Sequence, residues 1–439
     1  MQSTEKNVIA VMLDETESVC PVCLKIIAAQ VIDQNKAVYM KKTCPDHGEF
    51  LTNLWPDVDH YRWMKRFQFP FVRPEKPVAS QHGCLEDCGL CRAHLRHPTL
   101  VEIELTERCN LRCPVCFMSA EAARAYSHEP DLADLERIYD TIMAKTGPQT
   151  SIQLTGGEPT VRDDLAEIVN LGRLKGFNAI EVNTNGLRIA GDASYAACLA
   201  EAGISGFYLQ FDGLTQSVYE KIRGADLLGE KIKAIENCRK AGVQVVLAMT
   251  VIAGINDDQM GAVLEFALNN REVIAGIAYQ PAFGSGRFDV MPKRRLTMGD
   301  IICDLSKQSR GLIEPYDFWP LGCSHPLCDA ATYLVEDHRG VINPLTRLIT
   351  PSQYVENFDA NSPQGSVFGD MAVKLFPQFE PGLSIVIMNF MDAMSIDLKR
   401  LRECSMTVAG QDGRIIPFCA YQLTDIDGQR KKRKYHNRG

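Results

Sequence analysis

The residues of this chain that most clearly suit chemistry are three cysteines at the spacing C-x3-C-x2-C: Cys109, Cys113 and Cys116. They follow an alternating apolar run at residues 100–105, which predicts a β-strand. Three thiolates on one short loop can each bind one iron of a cubane iron–sulfur cluster, and the fourth iron is then left without a protein ligand. A metal with an open position can bind and activate a small molecule. The spacing therefore predicts a catalytic 4Fe–4S cluster.

A second cysteine triplet has the same spacing: Cys84, Cys88 and Cys91. Spacing alone therefore does not decide which triplet holds the reactive cluster. The later triplet lies at the carboxyl end of a predicted strand, where α/β folds place their active sites, whereas the earlier one lies in a proline-rich stretch. We interpret the earlier triplet as ligands of an auxiliary cluster that takes its fourth ligand from elsewhere. Neighbouring histidines are either candidates for that ligand or solvated surface residues: His82, His94 and His97.

A Gly-Gly-Glu-Pro segment follows the next predicted strand, with Gly156, Gly157 and Glu158 at the strand end. Glycines at such a position let a ligand approach the backbone closely. The carboxylate of Glu158 beside them is suited to an ammonium group. This segment is therefore the predicted binding site for a small molecule held next to the cluster.

The stretches C-N-L-R-C-P-V-C and G-G-E-P together resemble the radical S-adenosylmethionine (SAM) superfamily. The resemblance implies that SAM binds the open iron and that the Gly-Gly-Glu segment holds its amino group. One electron, from a donor such as ferredoxin or flavodoxin, then cleaves SAM to methionine and a 5′-deoxyadenosyl radical. The chain departs from the family at Val115, where the family often has an aromatic residue.

Residues 99–290 alternate between strand and helix patterns. The predicted strands are 100–105, 151–155, 179–183, 206–211, 243–251 and 274–280, and the predicted helices are 131–146, 161–175, 193–203, 227–241 and 257–270. Six strands with crossover helices predict a parallel sheet covered on its outer face, and six units are too few for a closed eight-stranded barrel. The predicted fold class is therefore α/β, a partial (β/α)6 barrel, which the resemblance also implies.

Polar residues at the predicted strand ends are candidates for contact with SAM. By resemblance, Asn185, Asp212 and Val251 contact its ribose or adenine. The Asn-Gly and Asp-Gly pairs at the first two of these positions are also ordinary turn signals, so that reading stays open.

Residues 1–98 form a cysteine-rich first region. Cys20 and Cys23 make a C-x2-C knuckle, and Cys44 follows a predicted hairpin, with His47 close behind. Two hairpin tips of this kind predict one tetrahedral zinc or mononuclear iron. The fourth ligand is left open between His47 and a thiolate of the 84–91 triplet.

Residues 291–439 form a third region that also contains cysteines. Four of them lie in two groups and suit a further 4Fe–4S cluster or a rubredoxin-like iron: Cys323, Cys328, Cys404 and Cys419. A methyl-carrying role for Cys404 or Cys419 is an alternative that would need a lowered thiol pKa. Three further cysteines fall on helical patterns and are predicted to be core residues: Cys198, Cys238 and Cys303.

Composition narrows the function further. A net charge of −8 argues against a nucleic-acid binder. The chain contains no run of 18 apolar residues, and its polar start does not resemble a signal peptide. Sixteen cysteines without a signal peptide favour metal ligation over disulfides, so we expect a cytoplasmic protein.

Two segments raise the question of a lipid partner. Residues 383–394 are apolar and methionine-rich, which suits either a buried strand or a flexible apolar ligand. The basic run at 430–434 is either a solvated end or a peripheral contact with anionic lipid.

Motifs along nearly the full length carry a second resemblance: the C-x2-C and C-P-x-H-G of the first region, the two C-x3-C-x2-C triplets, and then Q-P-x-F-G-x-G-R, C-S-H-P-x-C and P-F-C-A-Y. In these motifs the chain resembles the group that contains archaeal tetraether lipid synthase, a group that also carries an older interpretation as a pterin-precursor methyltransferase. The leading hypothesis is therefore radical chemistry on an unactivated C–H bond, with carbon–carbon bond formation between lipid tails. The second hypothesis is methylation or another modification of a pterin-like or peptide substrate. A third, a non-catalytic electron carrier, has no use for the Gly-Gly-Glu segment.

Overall fold

The computed structural model describes residues 10–81, 83–120, 129–359 and 367–430. The described strands are β1 (Val11–Val19), β2 (Ile26–Gln34), β3 (Ala37–Cys44), β4 (Gly48–Trp55), β5 (Leu100–Thr106), β6 (Val115–Cys116), β7 (Ser151–Gly156), β8 (Ile180–Thr184), β9 (Gly206–Gln210), β10 (Val245–Val251), β11 (Ile274–Pro281), β12 (Arg287–Phe288), β13 (Trp319–Pro320), β14 (Asp329–Glu336), β15 (Ile342–Pro344), β16 (Glu380–Met388), β17 (Met406–Ala409) and β18 (Ile415–Pro417).

The described helices are α1 (Val58–Met64), α2 (Leu132–Thr146), α3 (Leu165–Leu174), α4 (Leu187–Gly191), α5 (Tyr195–Ala202), α6 (Gln216–Arg223), α7 (Leu228–Ala241), α8 (Met260–Leu268), α9 (Met298–Gln308), α10 (Pro351–Asn357), α11 (Val367–Leu375), α12 (Leu398–Leu401) and α13 (Phe418–Tyr421). Short 3-10 helices occupy Pro159–Val161, Pro315–Asp317 and Leu345–Arg347. His82 and residues 431–434 of the basic run lie outside the described residues.

The six predicted barrel strands are confirmed. β5, β7, β8, β9, β10 and β11 are neighbours in that order, and every pair is parallel. Crossover helices connect them, and the strands carry buried apolar side chains on the face beneath those helices. Two short helices that no periodicity predicted, α4 and α6, lie directly after strand ends, where they can position side chains beside a ligand.

The C-terminal region adds a parallel strand to each edge of this sheet. β16 pairs with β11 on one side, and β17 pairs with β5 on the other. Beyond them, β14 and β18 pair antiparallel with these two strands. No pairing between described strands joins the two outer ends, so the barrel stays open. The division into 1–98, 99–290 and 291–439 stays a prediction, and its third region shares one sheet with the second.

The first region contains a four-stranded antiparallel sheet, β1 to β4 in chain order. It docks on the segment between β16 and β17: Ser18 Oγ donates to the Ile396 carbonyl at 2.5 Å, and the buried Lys42 ammonium donates to the Ala393 carbonyl at 2.7 Å. The same segment therefore connects the two edges of the barrel and contacts the first region.

Of the cysteines predicted as core, Cys238 is buried in the described structure and Cys303 is half-buried. The prediction for Cys198 is wrong, because its position on α5 faces outward and the thiol is exposed. Among the described residues, no helix has both the length and the apolar character that crossing a bilayer requires.

Candidate active site and metal centres

The loop after β5 holds the three cysteines of the predicted catalytic cluster at the carboxyl end of the sheet. Cys109, Cys113 and Cys116 all line one cavity of about 670 Å³ in the interior of the barrel, called the barrel cavity below. Arg287 fixes this loop, because its Nε donates to the Cys113 carbonyl at 2.7 Å and its strand pairs with Cys116. The thiols are thus presented together to the inside of the barrel.

The thiols fit an iron–sulfur cluster in their chemistry. Burial raises the pKa of the Cys109 thiol to about 12 and also raises the pKa of Cys113. When free, the Cys109 and Cys113 thiols therefore stay protonated at neutral pH, so a bound metal must displace their protons. Three thiols that line one cavity are one fewer than a cubane needs, which is the donor set predicted for a cluster with one open iron.

Close backbone contact joins the Gly-Gly-Glu segment to the cysteine loop. A Cβ on Gly157 would lie 2.2 Å from the Arg108 carbonyl oxygen, and one on Gly156 would lie 2.3 Å from that of Thr106. Only glycine allows this approach, because Gly156 also has a φ of +128°. Both glycines line the barrel cavity, as the resemblance implied for a SAM site.

The carboxylate of Glu158 also lines this cavity and is held by protein donors. It accepts hydrogen bonds from the Thr160 amide at 3.1 Å, the Thr160 hydroxyl at 2.6 Å, the Thr184 hydroxyl at 2.7 Å and the Asn185 amide at 2.7 Å. Three of these bonds end on Oε1 and one on Oε2, so among the described residues Oε2 keeps an acceptor position. Glu158 therefore joins the ends of β7 and β8, and its contact with a SAM ammonium stays a prediction.

The structure separates the three residues predicted to contact ribose or adenine. Asn185 lines the barrel cavity, and its side-chain amide donates to Asn110 on the cysteine loop at 2.7 Å. Asp212 is fully buried and does not line that cavity, because Arg223 binds both of its carboxylate oxygens at 2.7 Å. Val251 is also fully buried and lines a separate cavity of about 260 Å³. Ligand contacts of all three stay predictions.

Arg223 is the functional residue that the sequence patterns missed most clearly. It lies at the end of α6, lines the barrel cavity, and donates to the Val115 carbonyl at 3.1 Å as well as to Asp212. The positive charge of Arg223 lies close enough to Cys113 to counter the burial that raises the pKa of that thiol. α6 lies between the predicted helices 193–203 and 227–241, and no sequence pattern relates its last residue to the cysteine loop, so only the fold brings this charge there.

Polar side chains cover much of the inner face of the barrel below the cysteine loop. Glu102, Gln153 and Glu181 face one another across β5, β7 and β8, and all three line the cavity. No sequence motif marks them, because each lies inside a strand. One signal was present: both faces of a parallel strand are buried, so a glutamate in β5 must point into the interior or under a helix.

The first region contains a complete candidate metal centre. The ligand atoms of Cys20, Cys23, Cys44 and His47 all lie within 4.8 Å of one another. Nδ1 of His47 is 3.5 Å from the Cys20 sulfur and 3.4 Å from the Cys44 sulfur. Of the two fourth ligands that the sequence left open, the structure places His47 beside the three sulfurs. This donor set fits tetrahedral zinc, and metal ligation by these four residues stays a prediction.

The 84–91 triplet lines a cavity of its own, of about 580 Å³. Its three thiols are Cys84, Cys88 and Cys91. His94 lines this cavity but is buried, not a surface residue, and its Nε2 lies 2.9 Å from the Cys404 carbonyl oxygen. His97 Nε2 lies 2.9 Å from the Thr146 carbonyl oxygen. Both rings have backbone partners, and the auxiliary cluster itself stays a prediction.

Three of the four C-terminal cysteines lie close enough to interact electrostatically: Cys328, Cys404 and Cys419. The buried Arg400 guanidinium lies 3.4 Å from the Cys328 sulfur and offers charge compensation to thiolates. Cys323 lies near the hydroxyl groups of Ser324 and Ser405 instead. Burial raises the pKa of both Cys404 and Cys419, which does not favour the alternative of a reactive nucleophile.

Comparison with known proteins agrees with this geometry. The model of the radical SAM superfamily matches residues 103–267, and that of the HMPTM N-terminal zinc ribbon domain matches residues 12–56. The chain is 33% identical over 475 residues to 7,8-dihydro-6-hydroxymethylpterin dimethyltransferase of Methanocaldococcus jannaschii, covering 93% of each chain. It is 34% identical over 173 residues to a probable GTP 3′,8-cyclase of Pyrococcus abyssi, covering 39% of this chain and 54% of that protein.

Among solved structures, native anSMEcpe with bound AdoMet and a Kp18Cys peptide is similar at a TM-score of 0.39 and 17% identity, over 49% of this chain and 62% of that one. The radical SAM domain of the present chain binds a 4Fe–4S cluster and SAM, and the zinc ribbon fits a further metal. With this domain and the near full-length match, the chain belongs to the radical SAM superfamily, in one family with the dimethyltransferase of M. jannaschii.

Proposed function

We propose that this protein is a radical SAM enzyme that modifies a pterin-like heterocycle, with methylation as the reaction. The observation that carries the proposal is the polar inner face of the barrel, where Glu102, Gln153 and Glu181 line the same cavity as the cluster cysteines. Carboxylates and amides recognise rings that carry N–H groups, whereas a lipid tail offers them no partner. The name of the M. jannaschii relative, a dihydropterin dimethyltransferase, supports the same substrate class.

This proposal replaces the leading hypothesis from the sequence, which was coupling of lipid tails. One observation still favours an apolar substrate: Phe283, Phe390, Phe418 and Met388 line part of the barrel cavity. Lipid coupling is therefore kept as the second candidate. The methionine-rich segment, residues 383–394, begins inside the strand β16. Met388, the last residue of that strand, lines the barrel cavity.

The chain's own residues bind and orient the reactants. A bound cluster with SAM supplies the 5′-deoxyadenosyl radical, and a substrate in the cavity must present a carbon to it. Arg287 holds the cysteine loop, and the two glycines let the Gly-Gly-Glu segment lie directly against that loop. The aromatic side chains that line the cavity exclude water, which protects a radical from side reactions.

The test is turnover under anaerobic conditions with a chemical reductant. Reconstituted enzyme is mixed with SAM labelled with deuterium in its methyl group and with 7,8-dihydro-6-hydroxymethylpterin, and the products are weighed by mass spectrometry. We expect the pterin to stimulate 5′-deoxyadenosine formation and to gain the mass of methyl groups. The triple variant Cys109→Ala, Cys113→Ala, Cys116→Ala should give neither product, because it lacks the predicted cluster ligands.

A parallel reaction contains a diether lipid with deuterated tails in place of the pterin. Deuterium in the 5′-deoxyadenosine of that reaction, together with an unchanged pterin, would overturn the proposal and restore lipid coupling. Cleavage of SAM that survives in the triple variant would move the reactive cluster to the 84–91 triplet.

A further inference from the structure

Glu102, Gln153 and Glu181 form a row at one level of the barrel interior. Glu102 pairs with Gln153 in the register of β5 and β7, and Gln153 pairs with Glu181 in the register of β7 and β8. The side-chain amide of Gln153 donates to Glu181 Oε2 at 2.9 Å. The row thus places two carboxylates on either side of one amide, all facing the barrel cavity.

Glu102 is the unusual member of the row. Its side chain is only 3% exposed, and its Oε2 has no hydrogen-bond partner among the described residues. A buried carboxylate oxygen without a partner is costly. Glu104, two residues further along the same strand, shows the contrast, because Tyr421 and Gln422 each donate to its carboxylate at 3.0 Å.

The polar groups of the row indicate which kind of ligand could supply the missing hydrogen bonds to Glu102. Asn183 has a second buried acceptor, Oδ1, without a partner in the described structure. Free acceptors require a ligand that brings N–H or O–H donors. Burial, and to a lesser degree the charge of Glu104, raise the pKa of Glu102 to about 8, so paired donors on a ligand would favour its ionised form.

The row lies too deep in the barrel to serve the SAM site. Glu102 precedes Thr106, the last residue of β5, by four positions, which corresponds to about 13 Å along a strand. The Gly-Gly-Glu segment lies at the level of Thr106, because β7 ends at Gly156, which pairs with Thr106. The two levels therefore suit two different molecules: SAM at the rim, and a second molecule at the level of Glu102.

We propose that Glu102 and Glu181 bind the 2-amino-4-oxopyrimidine edge of the substrate, with the Glu102 carboxylate accepting from the ring N–H and the exocyclic amino group. This inference rests on the proposed function and names the residues that select its substrate. Two parallel N–H donors on a planar ring match the two oxygens of a carboxylate in the same way as a guanidinium does. A hydrocarbon tail would offer no donor to either carboxylate and would leave Glu102 Oε2 without a partner among the described residues.

The test compares two ligands on three proteins by anaerobic calorimetry. The ligands are 7,8-dihydro-6-hydroxymethylpterin and the matching lumazine, in which an oxygen replaces the 2-amino group. The proteins are the full-length chain, Glu102→Gln and Glu181→Gln, each loaded with its metals and SAM. We expect Glu102→Gln to weaken pterin binding about tenfold or more, since charge-assisted hydrogen bonds are lost. The unmodified chain should bind the lumazine correspondingly weakly, and the variants should discriminate less between the two ligands.

The matched control is Glu104→Gln, which removes a carboxylate from the same face of the same strand but lies outside the cavity lining. It should leave pterin affinity within about twofold, and SAM affinity should stay unchanged in all variants; these two readouts separate recognition from a general loss of structure. Equal pterin affinity in the unmodified chain and both cavity variants would overturn the assignment while the proposed function stands. Absence of pterin binding to the unmodified chain would overturn the proposed function itself.

Discussion

Buried charges around the barrel cavity are of two kinds: those paired with another protein side chain, and those whose partner would have to come from a ligand. The Asp212 carboxylate and the Arg223 guanidinium satisfy each other through two hydrogen bonds of 2.7 Å. This pair holds its two strand and helix ends in place, because removal of either partner would leave a buried charge uncompensated. Glu102 Oε2 has no such partner among the residues that the structure describes, and we propose that a ligand supplies the donor. We therefore expect buried charges without a protein partner, such as Glu102, to select the substrate.

The pKa of Glu102 makes a prediction about stability. Burial raises this pKa from an ordinary 4.5 to about 8 in the folded chain. A carboxyl with a raised folded pKa contributes stability that is complete below about pH 4.5 and is lost as the pH rises through about 8. We therefore expect the melting temperature of the substrate-free protein to fall relative to that of Glu102→Gln between about pH 5 and pH 8. Parallel pH profiles of the two proteins, measured at equal metal content, would contradict the raised pKa.

At the scale of elements, the active site depends on how closely two strand ends approach. The end of β7 lies against the loop that follows β5, with the space for a Cβ at Gly157 filled by the Arg108 carbonyl at 2.2 Å. Side chains on either strand could vary without changing this contact, because it is made by backbone atoms. The contact sets the distance between the SAM segment and the cluster cysteines.

Substitution of Gly157 tests this contact. We expect Gly157→Ala to displace the cysteine loop and to weaken SAM binding about tenfold or more, because a Cβ at 2.2 Å from an oxygen forces the backbones apart. Gly191→Ala is the matched control, since no atom lies within 4 Å of the Cβ position at that helical glycine. SAM affinity by calorimetry and the electron paramagnetic resonance of the reduced cluster are the readouts. A normal affinity in Gly157→Ala would show that the loop adapts without cost.

At the scale of the whole molecule, the third region completes the sheet of the second. β16 and β17 give the outer barrel strands β11 and β5 their parallel partners, and the segment between them also receives the zinc ribbon sheet through Lys42. An uncovered strand edge is prone to pair with other chains. The regions are therefore expected to depend on one another for folding.

Expression of fragments tests this dependence. We expect residues 99–290 alone to aggregate or to unfold without cooperativity, because both edges of their sheet lose a partner. Residues 99–439, which retain β16 and β17, are the matched control and should remain more soluble. Cooperative thermal unfolding of the 99–290 fragment, followed by circular dichroism, would instead support an independent domain that ends at residue 290.

The sequence by itself determined the features whose signals are local. The spacing of Cys109, Cys113 and Cys116 predicts a cluster with an open iron, and the strand before this triplet favours it over the 84–91 triplet. Alternation with helical spacing predicts the six barrel strands. Such patterns repeat over a few residues, so they can be read before the chain is folded. The family and its cofactors followed from them.

Only the tertiary structure decided which distant residues meet. His47 lies beside the three ribbon sulfurs because two turns converge, and Arg223 reaches the cysteine loop from α6, which no helix prediction covered. The Asp212 carboxylate has a side-chain partner, whereas Glu102 Oε2 has none in the part of the chain that the structure describes, although both are acidic residues in or directly after a strand. Whether a buried charge is satisfied depends on side chains contributed by other elements, and no local pattern carries that information.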